Sequence, residues 1–404
     1  MPDDELELPE ASAAFRETLV EAVGVRTRGE RHVACELSGG ADSTTLSAID
    51  YRQVGSRLVN LTRVPADPGN DDAGWARSAV AAQAGARHLL VELGQFPSQF
   101  AGLEKGASAF LDAPSPAAAS PDRQTAWWRH TAGTGARVLL SGKGADELLM
   151  SPLSYLAHAR RRDPQIARKH LAGWAALWGV SRKDIRHQAA HPGPYRQWLT
   201  ALCSQGLPAV GWESGPHVPP WLTAPVRDAL AEELAAAAAA AGSPLHERAH
   251  QHTTMVSLRA IARCNRIQAD LAAWSGLKLG YPYTDFQVIE AALRCRAEQR
   301  ISPYRLKPLL SEAMRGIVPD GNLNRRTKGG YNADTDRALE RHRPVLAQLL
   351  GEESVTGRSP RDSRRGSTVG PADRCAHGSD AAPDRHVRNL RPHHPPPPCP
   401  NPLN

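Results

Sequence analysis

The sequence predicts an α/β protein, in which a parallel sheet with helices on both faces is followed by a mostly helical region. Short apolar runs alternate with helix-like segments up to about residue 150. This alternation is typical of a parallel sheet, because parallel strands are joined by crossover helices. From about residue 151 to residue 351 the apolar residues recur at helical spacing instead.

Each element of the first region has its own signal. Apolar runs that are bounded by glycine or polar turns predict strands at residues 32–37, 57–64, 87–93 and 136–142. The segments between them predict helices at residues 43–53 and 71–85. In the second region the clearest helical pattern spans residues 253–274. We therefore expect strand–helix units first and a helical layer afterwards.

These patterns divide the chain into three parts. Residues 1–150 are the predicted α/β core, and residues 151–352 are a helical region that we expect to complete the site. Residues 353–404 form a tail with ten prolines and almost no apolar periodicity. Because the tail cannot bury enough apolar surface to offset its ordering entropy, we expect it to be disordered.

Composition excludes several classes of protein. Mean hydropathy is −0.44, and no run of about 18 apolar residues could cross a bilayer. The acidic N-terminus lacks an export signal and the six cysteines include no CxxC pair, so we expect a cytoplasmic protein. Residues 354–404 contribute +4 of the net charge of +7, through eight arginines and four aspartates. We therefore expect neither nucleic acid nor a membrane as a partner.

The stretch ACELSGGADSTTL, residues 34–46, joins the first predicted strand to the first predicted helix. Two adjacent glycines let the backbone approach an anion closely, and the helix N-terminus favours negative charge. Ser38 and Ser43 add hydroxyl donors, so the turn suits a phosphate. Asp42 would repel a bare phosphate, and we therefore expect Mg²⁺ between them. The alternative is a corner that uses glycine for its geometry alone.

A second stretch, VLLSGKGADELL at residues 138–149, repeats this pattern. An apolar strand ends at Ser141 and Gly142, and the carboxylates Asp146 and Glu147 follow. Ligands of open α/β sheets bind at the carboxyl ends of the strands. We therefore expect the two turns to face one metal–polyphosphate group from two sides.

The two turns also resemble known motifs. LSGGADS at residues 37–43 is similar to the pyrophosphate loop (PP-loop) of the ATP-pyrophosphatase superfamily, and LSGKGADEL at residues 140–148 resembles an element of the asparagine synthetase family. GLKLGYPYTDFQVIEAAL at residues 276–293 and YRLKPLLSEAMRGIVPDGNLNRRTKGGY at residues 304–331 agree with that family. The resemblance covers residues 15–350. It implies an adenine nucleotide α-hydrolase-like fold with a five-stranded type of parallel sheet.

By this resemblance, the chain binds ATP and Mg²⁺. Asp42 and Asp146 would hold the metal, and Lys328 would stabilise charge in the transition state. The resemblance further implies that ATP contacts the loop, the second strand and the second turn, at Leu37, Ser38, Gly39, Gly40, Asp42, Ser43, Thr62, Ser141, Gly142 and Lys143.

Lys143 departs from the family pattern. Asparagine synthetases commonly carry glutamate at this position, and their β-lactam-forming relatives carry tyrosine. A protonated lysine cannot take a proton from an amine unless burial lowers its pKa. Either another group is the base, with Glu147 the nearest candidate in sequence, or Lys143 only contacts phosphate.

The implied activity is that of an AMP-forming carbon–nitrogen ligase. The closing segment resembles lasso-peptide macrolactam cyclases more closely than housekeeping asparagine synthetases. We therefore expect ring closure of a precursor peptide, with a leader protease as a further partner. Position 2 is proline and few residues precede the loop, so we expect no glutaminase on this chain. The alternatives are asparagine synthesis, from free ammonia or with a glutaminase subunit in trans, and an inactive family remnant.

Overall fold

The centre of the structure is a five-stranded parallel sheet with the strand order β3-β2-β1-β4-β5. A computed structural model describes residues 6–105, 111, 115–150, 153–190, 193–204, 212, 222 and 224–349. The strands are β1 Val33–Glu36, β2 Leu58–Val64, β3 Arg87–Glu92, β4 Val138–Leu140 and β5 Lys278–Gly280. The first four lie within the ranges that the sequence predicts, and the predicted α/β fold class is confirmed.

Helices surround this sheet and make up most of the described residues after residue 150. In chain order they are α1 Leu8–Thr27, α2 Ala41–Val54, α3 Asp72–Val80, α4 Pro121–Gly133, α5 Ala145–Leu149, α6 Tyr155–Arg162, α7 Pro164–Leu177, α8 Arg182–Gln188, α9 Tyr195–Ser204, α10 Ala224–Ala240, α11 Ala249–Ala273, α12 Phe286–Arg294, α13 Ala297–Arg300, α14 Pro308–Ala313, α15 Asp320–Leu323 and α16 Asn332–Leu349. The later region is therefore mostly helical, as predicted.

Alternate residues of the central strands pack into two separate hydrophobic cores, one on each face of the sheet. Val33 and Cys35 of β1 pack into the core that includes residues of α1, α2 and α12. Ala34 packs on the other face with Trp127 and Trp128 of α4 and with Ala272 of α11. Successive side chains of a strand point to opposite faces, so both faces of the sheet are covered.

The fifth strand comes from the later, helical part of the chain. β5 pairs in parallel with β4, with Lys278 opposite Val138 and Gly280 opposite Leu140. Three residues are too few to show a periodicity, which is why the sequence pattern does not reveal this strand. The sheet therefore extends beyond the residues 1–150 that we assigned to the α/β core.

The second predicted crossover helix is shorter than its pattern suggests. α3 ends at Val80, whereas the pattern extends to residue 85. In the turn that follows, the Gln83 side chain enters the interior, where its amide donates to Ser47 Oγ at 2.9 Å and its Oε1 accepts from Asn60 at 2.8 Å. Satisfying these buried polar groups favours the turn over another helical turn.

The predicted disordered tail, residues 353–404, lies outside the described residues. Within the ranges given above, no helix combines the length and apolar character needed to cross a lipid bilayer.

Candidate active site

The turn between β1 and α2 has the geometry of an anion-binding loop. The Ser38 N–H donates to Ser43 Oγ at 3.1 Å, and the Ser43 hydroxyl donates to the Gly40 carbonyl at 3.3 Å. Gly39 has φ +76°, and a Cβ at this position would lie 2.4 Å from the Cβ of Trp75. Only glycine fits there. Gly40 is the N-cap of α2 without a side-chain cap, so the first N–H groups of this helix are available to a ligand.

The turn between β4 and α5 lies directly against the first one. A Cβ built on Gly142 would be 3.3 Å from the Cβ of Asp42. The Ser141 hydroxyl donates to Glu36 Oε2, at the end of β1, at 2.8 Å. Because β1 and β4 are neighbouring parallel strands, both carboxyl ends meet at one edge of the sheet. The two glycine turns therefore form one site, as their sequences predict.

A buried lysine joins the carboxylates of the two turns. Lys307 Nζ donates to Asp42 Oδ2 at 2.6 Å and also to Asp146 Oδ1. The Lys307 side chain is 4% exposed, and its backbone adopts a left-handed conformation with φ +43°. This conformation is rare for a residue with a Cβ and persists only where the surroundings enforce it. The contact with both carboxylates is such a constraint.

The three charges shift one another's pKa values. Burial alone would lower the pKa of Lys307, but the two carboxylates outweigh it and raise that pKa. Burial would raise the pKa of Asp146, but Lys307 and then Lys328 hold it below its usual value. For Asp42, burial together with the neighbouring Asp146 raises the pKa despite Lys307. Lys307 is therefore a stable cation between two acids.

The donor set fits Mg²⁺. Asp42 Oδ1 is buried, and no group in the described part of the chain donates a hydrogen bond to it. The described residues contain no cluster of three or more His, Cys, Asp or Glu side chains that could hold a metal. Mg²⁺ usually takes one or two carboxylates together with substrate phosphates and waters. Asp42 and Asp146 supply such a pair of hard oxygen donors next to the phosphate-binding turn.

The closing segment, residues 304–331, is fastened to the first turn by Arg325. Its guanidinium donates to the Ser38 carbonyl at 2.8 Å and to Asp71 and Asp72 at 2.6 Å each. Asp72 also accepts from the Gly329 N–H at 3.1 Å. Arg325 and Asp72 are both buried, with side chains 3% and 5% exposed. The segment that carries Lys328 is therefore held rigidly over the β1–α2 turn.

Lys328 itself lies at the rim of the site. Its Nζ is 3.9 Å from Asp146 Oδ2, and its side chain is 56% exposed. The structure thus brings Lys328, the lysine selected from the sequence, close to Asp146. Lys328 is farther from this carboxylate than Lys307, which is hydrogen-bonded to it.

A cavity of about 560 Å³ connects these groups. It is lined by ten of the residues that the sequence singled out: Leu37, Ser38, Gly40, Asp42, Ser43, Ser141, Gly142, Lys143, Asp146 and Lys328. Gly39, Thr62 and Glu147 do not line it. Gly39 packs against Trp75 and so fixes the shape of the turn. The Glu147 carboxyl is partly buried, and this burial raises its pKa.

Thr62 lies behind the wall of the cavity. Its hydroxyl donates to the Leu37 carbonyl at 2.6 Å and contacts His88 Nε2 at 2.9 Å. The next residue of β2, Arg63, faces the cavity and donates to Glu36 Oε1 at 2.6 Å. A shift of one residue along a strand changes the face, so the strand was identified correctly but its cavity-facing residue was not.

Several site residues were not predicted from the sequence. Lys307, Arg325, Asp72, Glu36 and Arg63 all line the cavity. Lys307 stands in the YRLKP stretch and Arg325 in RRTKGG, three residues before the lysine that we selected. Nothing in the local pattern separates these cations from ordinary surface residues, because their burial arises only when the closing segment meets the two turns.

Comparisons with known proteins identify the family of the chain. A family model described as asparagine synthase matches residues 14–375. No curated protein matches the chain. The solved structures similar to it include an NH3-dependent NAD synthetase from Campylobacter jejuni subsp. jejuni NCTC 11168 in complex with the nitrate ion, at 14% identity and a TM-score of 0.25. This match covers 36% of the present chain and 60% of the synthetase, and we base no argument on it.

Proposed function

We propose that this chain, which belongs to the asparagine synthase family, is an ATP-dependent amide ligase that adenylates a carboxylate and joins it to an amine. The family uses ATP, typically together with Mg²⁺. The observation that carries the proposal is that Asp42 and Asp146, from two turns far apart in sequence, both contact one buried lysine. Such a constellation beside a phosphate-binding turn suits the handling of a magnesium polyphosphate.

In the first half-reaction a carboxylate oxygen of the substrate attacks the α-phosphorus of ATP. The bond from that phosphorus to the bridging oxygen breaks, and pyrophosphate leaves. The N–H groups at the start of α2 and the hydroxyls of Ser38 and Ser43 are placed to bind the departing phosphates. Mg²⁺ held by Asp42 and Asp146 would neutralise their growing charge.

In the second half-reaction the amine nitrogen attacks the acyl carbon of the adenylate and AMP leaves. Charge develops on the acyl oxygen and on the leaving phosphate, and an exposed, mobile cation can follow it. Lys328 fits this role because it lies at the rim on the rigid closing segment. The amine must also lose a proton. Of the two side chains considered for this step, Lys143 lines the cavity and Glu147 does not.

For the substrate we propose the side-chain carboxylate of a peptide, so that ring closure gives a macrolactam. The basis is the closing segment, which resembles macrolactam cyclases and lies directly over the proposed phosphate site. Asparagine synthesis is the second candidate. It is favoured by the surplus of cations in the cavity, which suits a small substrate with two carboxylates.

Isotope exchange between pyrophosphate and ATP tests the proposal. We expect exchange that depends on a carboxylate substrate, with L-aspartate and linear peptides with an internal Asp or Glu as the two sets of probes. Asp146→Asn should lower the exchange rate by at least about a hundredfold. The exposed Asp270, whose side chain is 70% exposed, gives the matched control Asp270→Asn. The absence of exchange with every probe would favour an inactive remnant and refute the proposal.

A further inference from the structure

Positive charge is concentrated on three consecutive helices of the later region, α6, α7 and α8. Residues 155–188, which span these helices, contain eight lysines and arginines and two aspartates, and so carry +6. The whole chain carries +7, of which residues 354–404 supply +4, so the rest of the chain carries −3. The three helices therefore differ in the sign of their charge from the rest of residues 1–353.

The three helices share one small core and expose their cations to solvent. Ala159 of α6, Ala167 of α7 and Ile185 of α8 are buried in the same hydrophobic cluster. Exposed cations lie on all three helices, and we call the following six the basic face: Arg160, Arg161, Arg168, Arg182, Lys183 and Arg186.

The basic face is not neutralised by nearby acids. No carboxylate in the described part of the chain lies within salt-bridge distance of its six cations. The two aspartates of these helices cap helix N-termini. Asp163 accepts from the N–H groups of Gln165 and Ile166 at 2.9 and 3.0 Å, and Asp184 completes the capping box of α8. A surface that only confers solubility usually mixes charges of both signs, so the composition of this face indicates a negatively charged partner.

The placement of the cations on α8 is unfavourable for the helix itself. Arg182 and Lys183 are its first two residues, next to the positive end of the helix dipole. Arg186 follows Arg182 at a spacing of four residues, which brings two like charges together on one side of the helix. The stability of α8 therefore does not account for these cations, whereas a role in binding does.

The basic face adjoins the cavity through Tyr304. The Tyr304 hydroxyl donates to the Lys169 carbonyl of α7 at 2.7 Å, and Lys169 Nζ lies over the Tyr304 ring, 5.4 Å from its centroid. Gly173 permits this close packing, since a Cβ there would be 2.5 Å from Pro303 Cγ. Tyr304 is 52% exposed, and Leu306, two residues further on, is 44% exposed and lines the cavity. A peptide that leaves the cavity past these side chains therefore meets α7.

A short acidic segment fits these features better than a long polyanion. The net negative charge of the rest of residues 1–353 would repel a nucleic acid that extends beyond the three helices. Apolar contacts are also available, because Leu177 and Val180, between α7 and α8, are 60% and 38% exposed. Carboxylates form charge-assisted hydrogen bonds with guanidinium and ammonium groups. Acidic and apolar side chains together are typical of a peptide.

We propose that the basic face binds an acidic segment of the peptide substrate, outside the residues that form the ring. The inference rests on the proposed function, since it names the class of peptide that the ligase accepts. The reacting carboxylate enters the cavity, and the acidic segment passes Tyr304 and lies along α7 and α8. Charge complementarity of this kind selects a partner and speeds its association.

Fluorescence anisotropy with the full chain tests this. The probes are two labelled linear peptides that share a free N-terminal amine and an internal aspartate. In one, a run of glutamates follows the aspartate, and in the other the same number of glutamines. We expect the glutamate peptide to bind about tenfold more tightly at low salt, and the preference to shrink as ionic strength rises. Equal affinity for the two peptides at low salt overturns the proposal.

The double variant Arg182→Gln, Lys183→Gln should remove most of this preference, because it neutralises the start of α8 and keeps the Ser181–Asp184 capping box. The matched control, Arg341→Gln with Arg343→Gln, removes two exposed arginines of α16 and should keep the preference. A preference that survives the α8 variant, or that falls equally in the control, contradicts the assignment. Tighter binding of a single-stranded oligonucleotide of equal charge would assign the face to nucleic acid and overturn the proposal as well.

This proposal and the proposed function fail in different measurements. Anisotropy records binding without turnover, so a lack of exchange between pyrophosphate and ATP refutes the ligase activity while the preference for glutamate is still measured. Exchange that proceeds with the same KM for both peptides refutes the role of the basic face and leaves the ligase activity intact.

Discussion

Replacing Lys307 by methionine tests the charge arrangement on which the site is built. The substitution leaves Asp42 and Asp146, whose side chains are only 25% and 21% exposed, facing each other without their cation. A charge pair at about 4 Å is worth roughly 4 kcal/mol near a protein surface, and breaking a buried pair typically costs about 3–5 kcal/mol. We therefore expect Lys307→Met to lower the free energy of unfolding by about 3–5 kcal/mol, measured by urea denaturation.

The same measurement contains its own controls. The triple variant that adds Asp42→Asn and Asp146→Asn removes all three charges and should recover most of the loss, since uncharged replacements of a buried ion cluster are often nearly neutral. Lys278→Met removes an exposed lysine, 79% exposed and 3.9 Å from Glu30, and should change stability by less than about 1 kcal/mol. The reasoning is refuted if Lys307→Met behaves like Lys278→Met, or if the triple variant is as unstable as the single one.

Three further predictions concern the turn, the core and the closing segment. Gly39→Ala should cost at least about 3 kcal/mol in urea denaturation, whereas Gly29→Ala, with φ +81° but no atom within 4 Å of the new Cβ, should cost only about 1 kcal/mol. Asp50, fully buried in α2, has its pKa raised from 3.8 to about 7, mainly by burial, so its carboxyl favours folding when protonated. That contribution is complete below pH 3.8 and is lost as the pH rises past about 7. Between pH 4 and pH 8, the free energy of unfolding of Asp50→Asn should therefore rise by about 4 kcal/mol relative to that of the wild type, measured in denaturation series. Arg325→Met leaves the buried Asp72 without its cation and should cost about 3 kcal/mol in the same assay while raising the KM for ATP in the exchange assay; an unchanged KM would contradict the role of the closing segment.

The fold could be predicted wherever burial in the folded protein leaves a visible pattern of apolar residues in the sequence. β1 and β2 are apolar runs because both faces of a central parallel strand are covered, and that burial is visible in the sequence. β5 could not be predicted in this way. Its three residues, Lys278–Gly280, carry no pattern of their own, and their place at the edge of the sheet is set by pairing with β4.

The residues of the candidate site fall into the same two groups, those that a local pattern predicts and those that depend on tertiary contacts. Ser38, Asp42 and Asp146 follow strand ends, so the topology of a parallel sheet is enough to bring them together. Lys307 and Arg325 act through burial that exists only after the closing segment has docked, and their neighbours in sequence give no sign of it. Thr62 was selected for a different reason. The strand β2 was predicted correctly, but the apolar run does not define which of its residues face the cavity.

The two lysines near Asp146 have environments that suit different tasks. Lys307 is buried, bonded to both aspartates and held in a strained backbone conformation, so it cannot follow charge that develops elsewhere in the cavity. It keeps the two turns together and leaves the nearby oxygen donors oriented before any nucleotide arrives, which is the preorganisation that electrostatic catalysis requires. Lys328 has the opposite properties, being exposed and only loosely paired, on a segment fixed by Arg325. In the proposed mechanism, the buried Lys307 organises the site and the exposed Lys328 meets the reacting group, because one lysine cannot be immobile and adaptable at the same time.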